Sequence, residues 1–334
     1  MRLPKTLSYS SMSFWEKQPE EFYLRYLAEH RPPRLPQEPP MAVGSAFDAY
    51  VKNTLAYDLF GRDMPAQLEF GAIFEAQVEP PNRDFALKAG KHVWKSYKLC
   101  GAYDNLLDLL QKSTKPPRFE FTVEGKIGEA PFLGKPDLGF TPDLGYGPFN
   151  CIFDWKVKGY CSKYGASPSK GYEICLDGFK AEKTSRSHGK EHAKFLARDY
   201  RGMTINSGYL EFCNAEYADQ LTLYGWLLGE RVGDETVVLG IEETVAKYMG
   251  EGHAPQLRYA RHRARVKAEY QEKLFTRVQH CWQAVTSGHV FTDMSREDND
   301  ARCEVLEQMS LGLATDISEE GEWFNEVTRP QFRR

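Results

Sequence analysis

From Gly44 onward, Phe47, Tyr50, Val51 and Leu55 recur at helical spacing and predict a helix. Residues 8 to 30 carry an earlier helical pattern. Ser10, Ser11 or Ser13 can cap it, and Phe14, Phe22, Tyr23, Tyr26 and Leu27 supply its apolar positions. Between the two, Arg31 to Pro40 holds five prolines and reads as an irregular linker. Residues 84 to 112 predict two helices broken near Gly101. Arg118 to Lys126 then alternates, with Phe119, Phe121 and Val123 on one face, which predicts a strand. Residues 131 to 141 and 149 to 158 predict two more strands joined by a Gly/Pro-rich turn. A helix at about 216 to 229 and a strand at about 236 to 245 follow. Residues 257 to 287 read as one long amphipathic helix with Val266, Tyr270, Leu274, Val278 and Trp282 on a stripe, and the tail beyond about residue 310 is polar.

Polar residues break two of the strand patterns. In a strand, residues i and i+2 share a face, so Asp154 and Lys156 project together and Phe153, Trp155 and Val157 project oppositely. Asp137 lies between Pro131-Phe132-Leu133 and Leu138-Gly139-Phe140 on the neighbouring run. Two carboxylates facing one point repel unless a cation separates them. Mg2+, a hard cation, prefers such oxygen ligands. Lys156 then stands where it could orient or deprotonate a water, or stabilise charge on a phosphate, which is the chemistry of phosphodiester hydrolysis. Asp48 can ligate the same ion or pair with Lys52, one helical turn further on. Glu120 is a spare acidic candidate that reads as an exposed strand position. Gln220 and Tyr224, at i and i+4, share a helix face. The amide of Gln220 could bond a phosphate, a terminal base or the attacking water, and Tyr224 could hold its rotamer or touch substrate.

Composition narrows the setting. The 334 residues are 41% hydrophobic, enough for a sizeable core, and no apolar run approaches a bilayer span. The N-terminal stretch has no signal-peptide character, and seven cysteines at irregular spacing suggest a reduced, cytoplasmic protein with no membrane partner. The net charge of -4 is not that of a bulk DNA coater, yet residues 158 to 208 hold ten Lys/Arg against five Asp/Glu. Lys158, Lys180, Lys183 and Arg186, interleaved with Tyr160, Tyr164, Tyr172 and Phe179, suit a DNA-contacting arm. Arg258, Arg261, Arg263 and Arg265 could extend a phosphate track. His188-Gly189-Lys190-Glu191-His192 matches an inverted zinc-peptidase pattern, but Gly189 and the flanking serines favour a loop. No Walker A pattern is present, so no ATP is expected.

Taken together, Pro136-Asp137 and Asp154-Trp155-Lys156 resemble the PD-(D/E)XK nuclease superfamily. Gly44-Ser45-Ala46-Phe47-Asp48 resembles its first-helix motif. Gln220 to Tyr224 resembles the Gln-x-x-x-Tyr motif of the RecB-like, Cas4-like and phage-exonuclease branch. Leu7 to Ser11 and Glu21 to Tyr26 resemble the N-terminus of RecB-type domains, so the likeness covers residues 7 to 245. One departure stands out: that branch usually carries histidine where Asp48 lies, and often glutamate where Lys52 lies.

The resemblance implies an α/β fold with a mixed central sheet flanked by helices. It implies one domain over 1–310, with an insertion at 158–208 and a helical extension at 255–290, followed by a tail over 311–334. It implies Mg2+, or Mn2+, held by Asp48, Asp137, Asp154 and the Trp155 backbone carbonyl. Asp137, Asp154, Lys156 and Gln220 would serve catalysis, and Gln220, Tyr224, Lys158, Lys180, Lys183 and Arg186 would bind substrate. An iron–sulfur cluster is not expected, since no cysteine precedes Cys100 and only Cys281 and Cys303 lie beyond the core. The implied activity is DNA exonucleolysis from ends in phage-type recombination or repair. The implied setting is a bacterial host cytoplasm, beside a strand-annealing or single-strand-binding partner and as a homo-oligomer. A structure-selective endonuclease, or a non-catalytic DNA-binding or assembly protein, stays open.

Overall fold

Ser8 starts the first helix through a reciprocal cap: its side chain accepts from the Ser11 amide, and Ser11 Oγ accepts from the Ser8 amide. In this computed structural model, residues 1–161, 175–176, 179–180, 203–247 and 256–319 are described. The helices are α1 Tyr9–Lys17, α2 Pro19–Phe22, α3 Pro39–Phe60, α4 Phe70–Gln77, α5 Arg83–Leu99 and α6 Ala102–Gln111. After these come α7 Leu210–Cys213, α8 Ala215–Leu227, α9 Ala268–Ser287 and α10 Arg296–Glu319. The strands begin with β1 Arg118–Phe119, β2 Val123–Ile127, β3 Ala130–Gly134, β4 Leu138–Phe140 and β5 Asn150–Lys158. They continue with β6 Cys175–Leu176, β7 Phe179–Lys180, β8 Met203–Tyr209, β9 Val237–Lys247 and β10 Gln256–Arg265. The chain divides into two units: 1–35 with 124–133 and 273–334, and 36–123 with 134–272.

The second unit holds a mixed six-stranded sheet in the order β1-β4-β5-β9-β10-β8. β1, β4 and β5 are antiparallel neighbours, β5 and β9 run parallel, β9 and β10 antiparallel, and β10 and β8 parallel. Helices cover both faces. On one, Phe153, Trp155, Phe140 and Tyr259 pack in a core with residues of α3, α5 and α6. On the other, Ile152, Leu239 and Ile241 pack with Leu221 and Tyr224 of α8. The alternation of β5 thus delivers Phe153 and Trp155 to one layer and leaves Asp154 with the opposite one. Gly101, at φ 77, separates α5 from α6 where the sequence predicts the break.

The first unit pairs β2 with β3 and bridges Leu7 to Phe132. Within it Arg277 forks onto Glu16, and Trp15 Nε1 donates to the Val290 carbonyl. The helical pattern of residues 8 to 30 resolves into α1, α2 and a π turn over Tyr23–Leu27, because Pro19 starts a new helix.

Three expectations are corrected. The predicted helical extension over 255–290 begins as a strand: β10 carries Arg258, Arg261, Arg263 and Arg265, and α9 starts only at Ala268. The reason is burial on two sides, since Tyr259 belongs to one helix-covered core and Ala264 to the other. The strand predicted over 118–126 stops after Phe119, because Glu120 takes φ 44 and turns the chain before β2. The strand predicted over 131–141 is split by Lys135-Pro136-Asp137 into β3 and β4. Part of the predicted insertion, β8, joins the main sheet beside β10. Of Lys180 and Phe179 the backbone alone is described, in β7. Lys183, Arg186, Tyr164, Tyr172 and the 188–192 segment lie outside the described residues.

Candidate functional site

The break between β3 and β4 releases Asp137 at the end of the short strand beside β5. There its Oδ2 accepts the Trp155 amide at 3.1 Å, and its carboxyl lies close enough to Asp154 for each to shift the other's proton affinity. Asp154 is nearly sealed, with a side chain 4% exposed, and pairs with Lys156 two residues on. Lys156 Nζ donates to Gln220 Oε1 at 3.0 Å, and Gln220 Nε2 donates to the Tyr224 hydroxyl at 2.8 Å. Four residues singled out from the sequence thus form one chain of contacts from β5 to α8. A Cβ on Gly134 would come within 2.7 Å of the Tyr224 ring, so that glycine makes room for the tyrosine anchoring Gln220.

A second cluster meets Asp137 from α3. Lys52 is fully enclosed, and its ammonium contacts Asp48, Asp137 Oδ1 at 3.1 Å and Glu120 Oε2 at 3.3 Å. Glu120, read from sequence as an exposed strand residue, is instead part of this cluster. Gln77 Nε2 donates to both its oxygens at 2.9 Å, and its backbone N–H donates to the Asp137 carbonyl at 2.9 Å. Its positive φ, unusual for a residue with a Cβ, aims the carboxylate inward. A cleft of about 180 Å³ lined by Ser45, Phe47, Asp48, Gln77, Asp137 and Val157 among others opens onto this cluster.

The charges are interdependent. Burial alone would lower Lys52, but Asp137, Asp48 and Glu120 hold it well above the ordinary lysine value. Burial pushes Asp137 up, yet Lys52, the Asp154 carboxyl, Lys156 and the Trp155 amide bring it down to about 2. Burial and the charge of Asp137 hold Asp154 well above the usual carboxylate range, against the pull of Lys156. Burial raises Asp48 to about 7 even beside Lys52. Of the pair Asp137–Asp154, Asp154 therefore holds a proton the more readily. Asp137 and Asp154 offer carboxylate oxygens, the donor type a hard divalent cation takes, with Lys52 beside the first and Lys156 beside the second. Among the described residues no group of three or more His, Cys, Asp and Glu side chains is arranged to hold a metal ion. The point where three carboxylates converge holds the Lys52 ammonium.

The other sequence candidates are placed less centrally. Lys158 lies 3.8 Å from Glu243 and over the Tyr217 ring at 5.1 Å. Trp155 presents its amide to Asp137, with its ring in the α3 core. Sequence reasoning missed Gln77, for which no signal existed. It also missed a basic face on α5, which was legible: Lys88, Lys91 and Lys95 stand at i, i+3 and i+7. With Phe85, His92 and Tyr160 they line a cleft of about 440 Å³. All three lysines are exposed, and Phe85 and His92 both meet the Tyr160 ring edge-on. Gly159, at φ 86, ends β5 just before Tyr160. Among the described residues no helix is long and apolar enough to cross a membrane. The sequence matches no protein-family model and no curated protein.

Proposed function

We propose that this chain is a divalent-metal-dependent nuclease built on a PD-(D/E)XK core, acting on DNA. The carrying observation is the contact chain Asp154–Lys156–Gln220 from β5 to α8, with Asp137, just before β4, bonded to β5 at the Trp155 amide. The element order α3, β1, β4, β5, α8, β9 around a mixed sheet supports the same reading. Asp137 and Asp154 would hold the ion, which when bound supplies Lewis acidity at a phosphoryl oxygen. Lys156 is fixed by Asp154 on one side and the Gln220 carbonyl on the other, so its charge is positioned to orient a water or offset charge developing on the phosphate. Gln220 cannot rotate freely, because Tyr224 accepts from its amide nitrogen. The exposed lysines and rings beside Tyr160 offer phosphate and base contacts on the same unit.

Removal of DNA from its ends is the favoured mode, with a structure-selective endonuclease as the alternative. A second reading, a DNA-binding protein that no longer cuts, is favoured by one observation: Lys52 already neutralises part of the acidic cluster. Linear and covalently closed circular duplex DNA, incubated with Mg2+ or EDTA beside Lys156→Ala, separate these. Loss of the linear form alone, dependent on Mg2+ and Lys156, is expected. Cutting of the circle makes the protein an endonuclease, and no cutting with Mg2+ or Mn2+ refutes a nuclease.

A further inference from the structure

Lys52 sits in an unusual place for a lysine. Its side chain is 0% exposed, on the face of α3 that meets the sheet, and the ammonium ends among three carboxylates from three separate segments. An ammonium has three N–H donors. Here three acceptors meet it: Asp48 from α3, Glu120 from the turn after β1, and Asp137 from the lead into β4. Its donor capacity is filled. The oxygens of Asp137 and Glu120 stand at 3.1 and 3.3 Å, spacings for N–H···O contacts. Mg2+ would draw oxygens to about 2.0–2.1 Å. The cage is sized for an ammonium, and Gln77 locks its Glu120 wall by donating to both carboxylate oxygens.

Asp154 stands apart from that cage and pairs with Lys156 instead. Lys135 also reaches Glu120 at 3.4 Å, but from solvent, where its charge is screened.

We infer that Lys52 is a permanent internal cation, and that the site takes up a single divalent ion between Asp137 and Asp154, with Asp48 and Glu120 serving Lys52 instead of the metal. The inference rests on the metal-dependent reading above and fixes its stoichiometry. It also reassigns Asp48, which the resemblance implied as a ligand. Asp137 is the shared wall: Oδ1 faces Lys52, while Oδ2 accepts the amide of Trp155, the residue that follows Asp154 on β5.

The test is Mn2+ binding to the full-length, EDTA-stripped chain, followed by electron paramagnetic resonance of free Mn2+ and needing no substrate. One ion per wild-type chain is expected. Asp48→Asn is expected to keep that ion and Asp137→Asn to lose it. Lys52→Gln vacates the cage and is expected to bind two. Should Lys52→Gln not fold, the wild-type and Asp48→Asn titrations decide the matter without it. Two ions on the wild type, or loss of the ion in Asp48→Asn, overturns the inference and leaves the metal-dependent reading standing. An unchanged count in folded Lys52→Gln also overturns it. No ion on the wild type overturns both.

Discussion

Replacing Asp154 by asparagine is expected to stabilise the metal-free protein while removing its capacity for a divalent ion. Asp154 is enclosed against Asp137, and burial with that neighbouring charge holds its carboxyl above the usual range even though Lys156 lies beside it. The folded state therefore binds the Asp154 proton more tightly than the unfolded chain, whose aspartates titrate near about 3.9. As pH rises through that value toward the folded one, the wild type loses about 1.4 kcal/mol for each pH unit crossed. Asparagine has no proton to lose and escapes this penalty. Asp137, at about 2, is ionised throughout the window, and Lys156 keeps its bond to Gln220. Urea unfolding in EDTA between about pH 5 and pH 7 should show Asp154→Asn gaining on the wild type by up to about 1.4 kcal/mol per unit while the folded value still lies above. Saturating Mg2+ should reverse the order, since an ion at a hundred times its Kd adds about 2.7 kcal/mol to the protein that binds it. A stability difference that stays flat with pH in EDTA, or equal stabilisation of both proteins by Mg2+, would refute the reasoning.

Other outcomes follow from the same geometry. Gly240→Ala would place a Cβ within 2.3 to 2.7 Å of three Phe153 ring carbons, so it should cost about 1–3 kcal/mol in urea unfolding, partly restored by adding Phe153→Leu. Lys88, Lys91 and Lys95 all changed to glutamine should lower the slope of log affinity against log salt for single-stranded DNA by about 2, measured by fluorescence anisotropy in EDTA. An unchanged slope would exclude that face as a phosphate track. Glu307 works against its partial burial, because the His30 and Glu29 amides and the Tyr23 hydroxyl bond its carboxylate and hold it below the usual range. Its stabilisation is present above the unfolded value of about 4.3 and is lost as pH falls through the folded one. The advantage of wild type over Glu307→Gln in thermal melts should therefore shrink on acidification, and a constant advantage would count against an ionised Glu307.

Periodicity along the chain determined the helices over 39–60 and 83–111, the strand of Asp154 and Lys156, and the helix presenting Gln220 and Tyr224. It could do so because apolar residues recur in each with the period of its own element, and that repeat is a local property. β10 escaped this logic: its Tyr259 and Ala264 serve different cores, and the basic residues between them run on into the apolar stripe of α9, so the two together mimic one amphipathic helix. Asp137, Asp154, Lys156 and Gln220 were readable as chemistry because they interrupt apolar runs. Their linkage into one network was decided by the pairing of β4 with β5 and the packing of α8 on the sheet. Lys52 marks the limit most clearly. One helical turn could suggest its pairing with Asp48, but Glu120 and Asp137 lie 68 and 85 residues away and reach it only through the folded chain. Which carboxylates face an ammonium and which face each other depends on burial and distance in three dimensions, because charges in a low-dielectric interior respond to their nearest neighbours in space and not to neighbours in sequence.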